Sequence, residues 1–288
     1  MSNSSQASIR YLLMVAMSAI LLMGFVPVII KWISANEATI GIVRLSIGTL
    51  GISILLFFKR RSLKLTRRDL RWLILLGLVF ALHWFTYFKS IKLSDASLAA
   101  IGVATFGLHL LFLNLIFYRE KLIGSDFIAV IIAFAGIFLA SPPMDLEQGK
   151  LDGFLIAILS GFLYACLPLI NRQLNHLSTN TRALGQFGFA LVGFLFLLPQ
   201  SNFSLSTNDW WGLIFLGVLS TLIAHTLWIK ASTELPTSYT AVLYYSYIPM
   251  AIILGYFFLG EPLNWEKLVG AGLIILANIM VALLHKKK

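Results

Sequence analysis

The sequence predicts an all-α integral membrane fold: ten transmembrane helices in two five-helix repeats of inverted topology. Three observations carry this reading: an apolar composition, a series of apolar runs of membrane length, and an internal repeat at a fixed offset. Of the 288 residues, 59% are hydrophobic and only 12% are charged. Mean hydropathy is +0.88. A water-soluble chain of this size needs far more polar surface. The apolar runs reach roughly 18 to 22 residues, enough to cross a ~30 Å hydrocarbon layer at about 1.5 Å per helical residue.

Taken in order, the spans are expected near residues 11–33, 38–58, 71–91, 95–118, 125–141, 151–171, 182–199, 210–231, 237–259 and 265–284. Span 1 is too long for a signal-peptide core and lacks a small-x-small cleavage site, so it is expected to remain as a helix. It carries Pro27, and span 6 carries Pro168; each frees a backbone carbonyl and can kink its helix or line a cavity. Span 2 contains Arg44, one to two turns from its outer end, where it can snorkel to the surface or bind a substrate carboxylate. Span 3 sets His83, Tyr87 and Ser90 on one face, and span 8 does the same with Thr221, His225, Trp228 and Ser232. Span 4 holds His109 and Asn114, span 6 Ser160 and Tyr164, span 7 Gln186, span 9 Tyr244, Tyr245 and Tyr247, and span 10 Asn278. Span 5 has no polar candidate in its interior. Trp72, Trp210, Trp211 and Trp265 stand at span starts, as interfacial anchors do.

Intramembrane polar groups are costly and face a cavity or a partner helix. A histidine there can simply bond a neighbouring helix. Two His–aromatic faces in corresponding spans also suit a cavity for an amphipathic organic solute. The candidate cavity residues are His83, Tyr87, His109, Tyr164, Gln186, His225, Trp228, Tyr244 and Tyr245. No Asp or Glu lies deep in a span. A proton-driven mechanism would rest on histidine, and burial disfavours its charged form. Facilitated transport or exchange is therefore expected.

The net charge of +10 does not point to nucleic acid, because seven basic residues sit in one connector, "KRRSLKLTRRDLR" (59–71), and three close the chain as "KKK". Such clusters orient a membrane protein, since Lys- and Arg-rich short loops stay cytoplasmic. With that connector inside, cytoplasmic segments hold sixteen of the 22 basic residues and outer segments five: Lys31, Lys89, Lys92, Lys150 and Lys267. Both termini are then expected in the cytoplasm. The single cysteine, Cys166, excludes an intramolecular disulfide. No GxxxxGK[ST], HExxH or GxSxG motif occurs, and nothing in the histidine spacing demands haem, so no cofactor or metal is expected.

The repeat appears in "FYREKL" (117–122) and "FLGEPL" (258–263), 141 positions apart. At the same offset Pro27 maps to Pro168, Lys31 to Arg172, Lys89 to Lys230, Ser97 to Ser238 and Glu120 to Glu261. The halves are residues 1–144 and 145–288. Five spans each is an odd number, so the second half enters the membrane upside down. Inverted repeats belong to alternating-access transporters, with the substrate near the midplane between halves. Glu120 and Glu261 then lie on opposite faces as helix-end carboxylates or as gating contacts.

The details resemble the ten-helix EamA family of the drug/metabolite transporter (DMT) superfamily over nearly the whole chain. "GFVPVIIK" (24–31) is similar to the family's first-helix pattern, and "RLSIG" (44–48) to its arginine-led second helix. "SIKLSDASLAAI" (90–101) and "ASTELPTSYTAV" (231–242) resemble its helix 3–4 and 8–9 hairpins. "REKL" and "GEPL" correspond to the acidic ends of helices 4 and 9, and "VGAGLIILANIMV" (269–281) to the last helix. "YREK" departs from the family by lacking a glycine before its glutamate, which bears on the local turn. The resemblance implies an inner-membrane secondary transporter exporting amino acids or related small metabolites. Vitamin uptake, as of riboflavin, is the alternative; a lipid-modifying membrane enzyme is the rival of another class. The expected partners are a small organic solute and membrane lipids, with no nucleic acid and a monomer as working unit.

Overall fold

The computed structural model describes residues 3–60, 64–94, 96–119, 124–140, 148–260, 263 and 265–284. Among them the chain is helical with short connectors and has no strand. It builds ten helices. Helix 1 comprises Asn3–Met23 and Phe25–Trp32, helix 2 is Glu37–Phe58, and helix 3 is Arg67–Leu93. Helix 4 comprises Ala96–Ala104 and Phe106–Tyr118, and helix 5 is Gly124–Ala140. Helix 6 is Gln148–Gln173, and helix 7 is Thr179–Leu195. Helix 8 runs through Thr207–Phe215, a π-helical stretch Leu216–His225 and Thr226–Glu234. Helix 9 comprises Thr237–Tyr244 and Tyr247–Leu259, and helix 10 is Trp265–Leu284. Six of these stretches are long and apolar enough to cross a membrane, and shorter apolar helices complete the set.

Local chemistry sets the helix starts. The Asn36 side chain accepts from Thr39 N at the head of helix 2. Thr66 with Asp69, and Ser206 with Asp209, form capping boxes that open helices 3 and 8. Large apolar side chains such as Phe57, Phe58 and Phe196 are exposed on the outside of the bundle. They face lipid, where helices can stand because their backbone groups are satisfied internally.

The repeat reappears in three dimensions. Helix 4 is interrupted at Thr105 and helix 9 at Tyr245–Ser246; Thr105 and Ser246 are 141 residues apart. Their second segments, Phe106–Tyr118 and Tyr247–Leu259, correspond residue for residue at that offset. Each ends in a left-handed residue, Arg119 (φ 50°) and Gly260 (φ 67°), whose N–H bonds the carbonyl of Asn114 or Gly255. Where "YREK" lacks a glycine, Arg119 itself takes the left-handed conformation that Gly260 takes in the other half.

Packing follows the same symmetry. Helices 2 and 7, 4 and 9, and 5 and 10 pack on their own counterparts, so the pseudo-twofold axis runs between them. Helix 3 packs on helices 6 and 7, and its counterpart, helix 8, packs on helices 1 and 2. In the pair of helices 5 and 10, a Cβ on Gly136 would sit 2.6 Å from the Gly270 carbonyl oxygen. Only glycine permits that backbone approach.

The two prolines differ. Helix 1 breaks at Gly24, three residues before Pro27, whereas helix 6 continues through Pro168. Pro27 falls in the first turn of its segment, where a backbone N–H has no helical acceptor to lose. Lys31 and Arg172 close these helices, each tied to the hairpin of its own half. Lys31 Nζ donates to Ser94 O at 2.7 Å, and Arg172 Nη2 donates to Thr237 Oγ1 at 3.0 Å. Glu120 and Glu261 lie outside the described residues.

Candidate functional site

A narrow, largely aromatic cavity lies among helices 1, 2, 3, 6, 8 and 9, drawing on both halves of the chain. Met23, Val26, Arg44, His83, Trp84, Tyr87, Phe88, Tyr164, His225, Tyr244 and Tyr247 line it. The cavity volume between these walls is only about 20 Å³, room for a single water. The described conformation is therefore drawn in around the site.

His83 is held from helix 6. Its Nδ1 lies 3.0 Å from Ser160 O and 2.8 Å from Ser160 Oγ, and that hydroxyl donates to His83 O at 3.0 Å. A carbonyl oxygen can only accept, so Nδ1 carries the proton and Nε2 is the acceptor. The ring stacks on Tyr164 with centroids 4.4 Å apart and planes 17° apart. Tyr164 in turn meets Phe106 at 5.0 Å and Tyr244 at 5.1 Å. Tyr244 continues to Tyr247 at 5.0 Å and Trp228 at 5.6 Å. The Tyr164 hydroxyl is buried without a hydrogen-bond partner.

Arg44 is 0% exposed. The snorkelling expectation is corrected: helix 2 turns this side chain inward, and it stays between helices 3 and 8. Its guanidinium carbon stands 4.1 Å over the Trp84 ring and 5.2 Å from the Phe88 ring. Arg44 Nε donates to Thr221 Oγ1 at 3.0 Å. Thr221 sits in the π-helical stretch and donates to Leu216 O, five residues back, at 2.9 Å. Wide turns of this kind recur at functional sites because they re-aim side chains. Among the described residues no carboxylate lines the cavity.

Of the sequence candidates, His83, Tyr87, Tyr164, His225 and Tyr244 meet at this cavity, while Trp228 stands behind Tyr244. Tyr245 points elsewhere: a Cβ on Gly107 would run into its hydroxyl, so the ring is packed against helix 4. Gln186 is buried on the helix 6 side, accepting from Asn171 Nδ2 at 3.3 Å. His109 is half-buried and edge-on to Phe162, and does not line the cavity. Trp84 and Phe88 escaped the sequence reading. With Phe80 they form an i, i+4, i+8 stripe that a sequence presents as ordinary core.

The profile of the EamA-like transporter family matches residues 10–141 and again residues 151–283. The chain belongs to the EamA-like transporter family. It is similar to the uncharacterized transporter YxxF of Bacillus subtilis, at 25% identity over 78% of this chain and 73% of that one. An uncharacterized transporter of Archaeoglobus fulgidus is 25% identical over 74% of this chain and 78% of its own. The threonine/homoserine exporter RhtA of Escherichia coli is 28% identical over 57% of this chain and 56% of its own. A solved crystal structure superposes with a TM-score of 0.80 over 96% of this chain and 98% of its own at 16% identity, a likeness of fold. EamA relatives are named as transporters, which sets aside the lipid-modifying enzyme. The chain is an integral membrane transporter, and its cargo class is a small solute.

Proposed function

We propose that this EamA transporter exports amino acids or closely related metabolites across the inner membrane by alternating access. The two repeats rock about the central cavity, and the termini face the cytoplasm. One observation carries the reading: a buried cavity between the halves combines aromatic walls with polar groups, the setting that holds a small amphipathic solute. The export relative RhtA supports the solute class. With no carboxylate among the described residues of the cavity, exchange or facilitated movement is favoured over proton drive.

Two measurements test this. Cells overproducing the protein should tolerate toxic amino-acid analogues and release the amino acid faster than control cells. Unchanged release across a panel of amino acids, with riboflavin accumulating instead, would favour vitamin uptake. Reporter fusions after Arg61, Arg172 and Lys288 should report cytoplasm, and one at Glu147 the outside. A cytoplasmic signal at Glu147 would break the assigned division into halves.

A further inference from the structure

We propose that Arg44 is the anion-binding residue of the cavity and that it takes a carboxylate of the solute through Nη1 and Nη2. The inference rests on the transport reading above and adds the group of the solute that is recognised.

Both Nη atoms of Arg44 are buried and without a hydrogen-bond partner. Nε is already committed to Thr221 Oγ1 at 3.0 Å, and Thr221 spends its own proton on Leu216 O at 2.9 Å. One face of the guanidinium is covered by Trp84 at 4.1 Å. What remains free is the outer edge of the fork, two nitrogens in one plane. A buried cation without a counter-charge is costly, and its cost falls when an anion pairs with it. Among the described residues no acidic side chain lines the cavity and none pairs with Arg44. The counter-ion must therefore arrive with the solute.

A carboxylate matches this edge. Its two oxygens accept two parallel N–H bonds from the guanidinium, a planar arrangement a lysine could not reproduce. Trp84 and Thr221 fix the guanidinium, so little side-chain freedom is lost on binding. The rest of the lining is aromatic apart from Met23 and Val26, with His83 Nε2 as an acceptor for a solute N–H or O–H. The solute is thus read by its acid end. An amino acid and its des-amino hydroxy acid should both fit, whereas the carboxamide of the same amino acid should not.

The test is ligand-induced thermal stabilisation of the purified full-length protein. Each amino acid that stabilises wild type is compared with its carboxamide, and acetate and benzoate are compared with acetamide and benzamide as minimal probes. The acids should bind at least about tenfold tighter than the amides, the scale of one lost charge-assisted hydrogen bond. Arg44→Gln should erase that difference, and Arg44→Lys should restore part of it. Equal affinity for acids and amides in wild type would overturn the proposal whether or not the variants fold. So would discrimination that survives in Arg44→Gln, or failure of every acid, acetate and benzoate included, to stabilise wild type. If only acetate and benzoate discriminate while no amino acid binds, the Arg44 site stands and the amino-acid reading falls.

Discussion

Asp69, in the first turn of helix 3, accepts a hydrogen bond from His176 Nε2 at 2.9 Å, joining the first half of the chain to the connector between helices 6 and 7. Its counterpart lies at the head of helix 8. There Asp209 accepts from Ser34 N and Ser34 Oγ, both at 2.8 Å, joining the second half to the connector between helices 1 and 2. Each carboxylate also closes its own capping box. In inverted repeats these two clasps belong to opposite membrane faces.

The first prediction concerns the Asp69 clasp. The His176 side chain is 55% exposed, and such a pair is worth about 0.2–1 kcal/mol, so His176→Ala should hardly change stability. It should free the face that carries the 59–71 connector. In a Cys166→Ser background, Met23→Cys places a thiol at the cavity. An impermeant maleimide applied from that face should label it faster once His176 is replaced. An unchanged labelling rate would mean that the clasp does not gate.

The left-handed helix ends give a second prediction. Arg119 adopts φ 50° where Gly260 adopts 67°. A non-glycine residue there costs about 1–2 kcal/mol, partly offset by glycine's greater freedom when unfolded. Arg119→Gly should raise the thermal midpoint in detergent and Gly260→Ala should lower it. A fall with Arg119→Gly would show that the Arg119 side chain contributes more than its backbone costs.

How much of this could be read in the chain depends on the kind of signal. Helix number is written in the length of the apolar runs, and the 141-residue repeat in rare residues: Pro, Lys, Arg and Glu among aliphatics. The break in helix 4 has no such mark, whereas the one in helix 9 stands three residues before Pro249, as the break at Gly24 stands three before Pro27. Thr105 is an ordinary polar residue that a sequence does not set apart, while Pro249 has no N–H to give the Tyr245 carbonyl and so interrupts helix 9 locally. Arg44 could be placed in depth but not in direction, because its inward course depends on Trp84 and Phe88 from another helix. The tyrosine run shows the same limit. Tyr244 and Tyr245 are adjacent and look equivalent, yet one lines the cavity and the other packs against Gly107.

That contrast is the third prediction. Tyr245→Ala removes a fully buried ring and should destabilise the fold by about 3 kcal/mol, read as a lower thermal midpoint. Protein that remains folded should bind solute nearly as wild type does. Tyr244→Ala should weaken solute binding several-fold at a smaller cost in stability. Equal binding defects in the two variants would mean that the cavity extends past Tyr245.

The most direct test of the account is counterflow in proteoliposomes. Vesicles carrying the purified protein are loaded with an unlabelled amino acid, and entry of the labelled one is followed with and without an imposed pH gradient. The account predicts rapid entry that needs the internal solute, changes little with the gradient, and is strongly reduced by Tyr244→Ala. Entry at wild-type rate in Tyr244→Ala, or accumulation that appears only when a pH gradient is imposed, would contradict it.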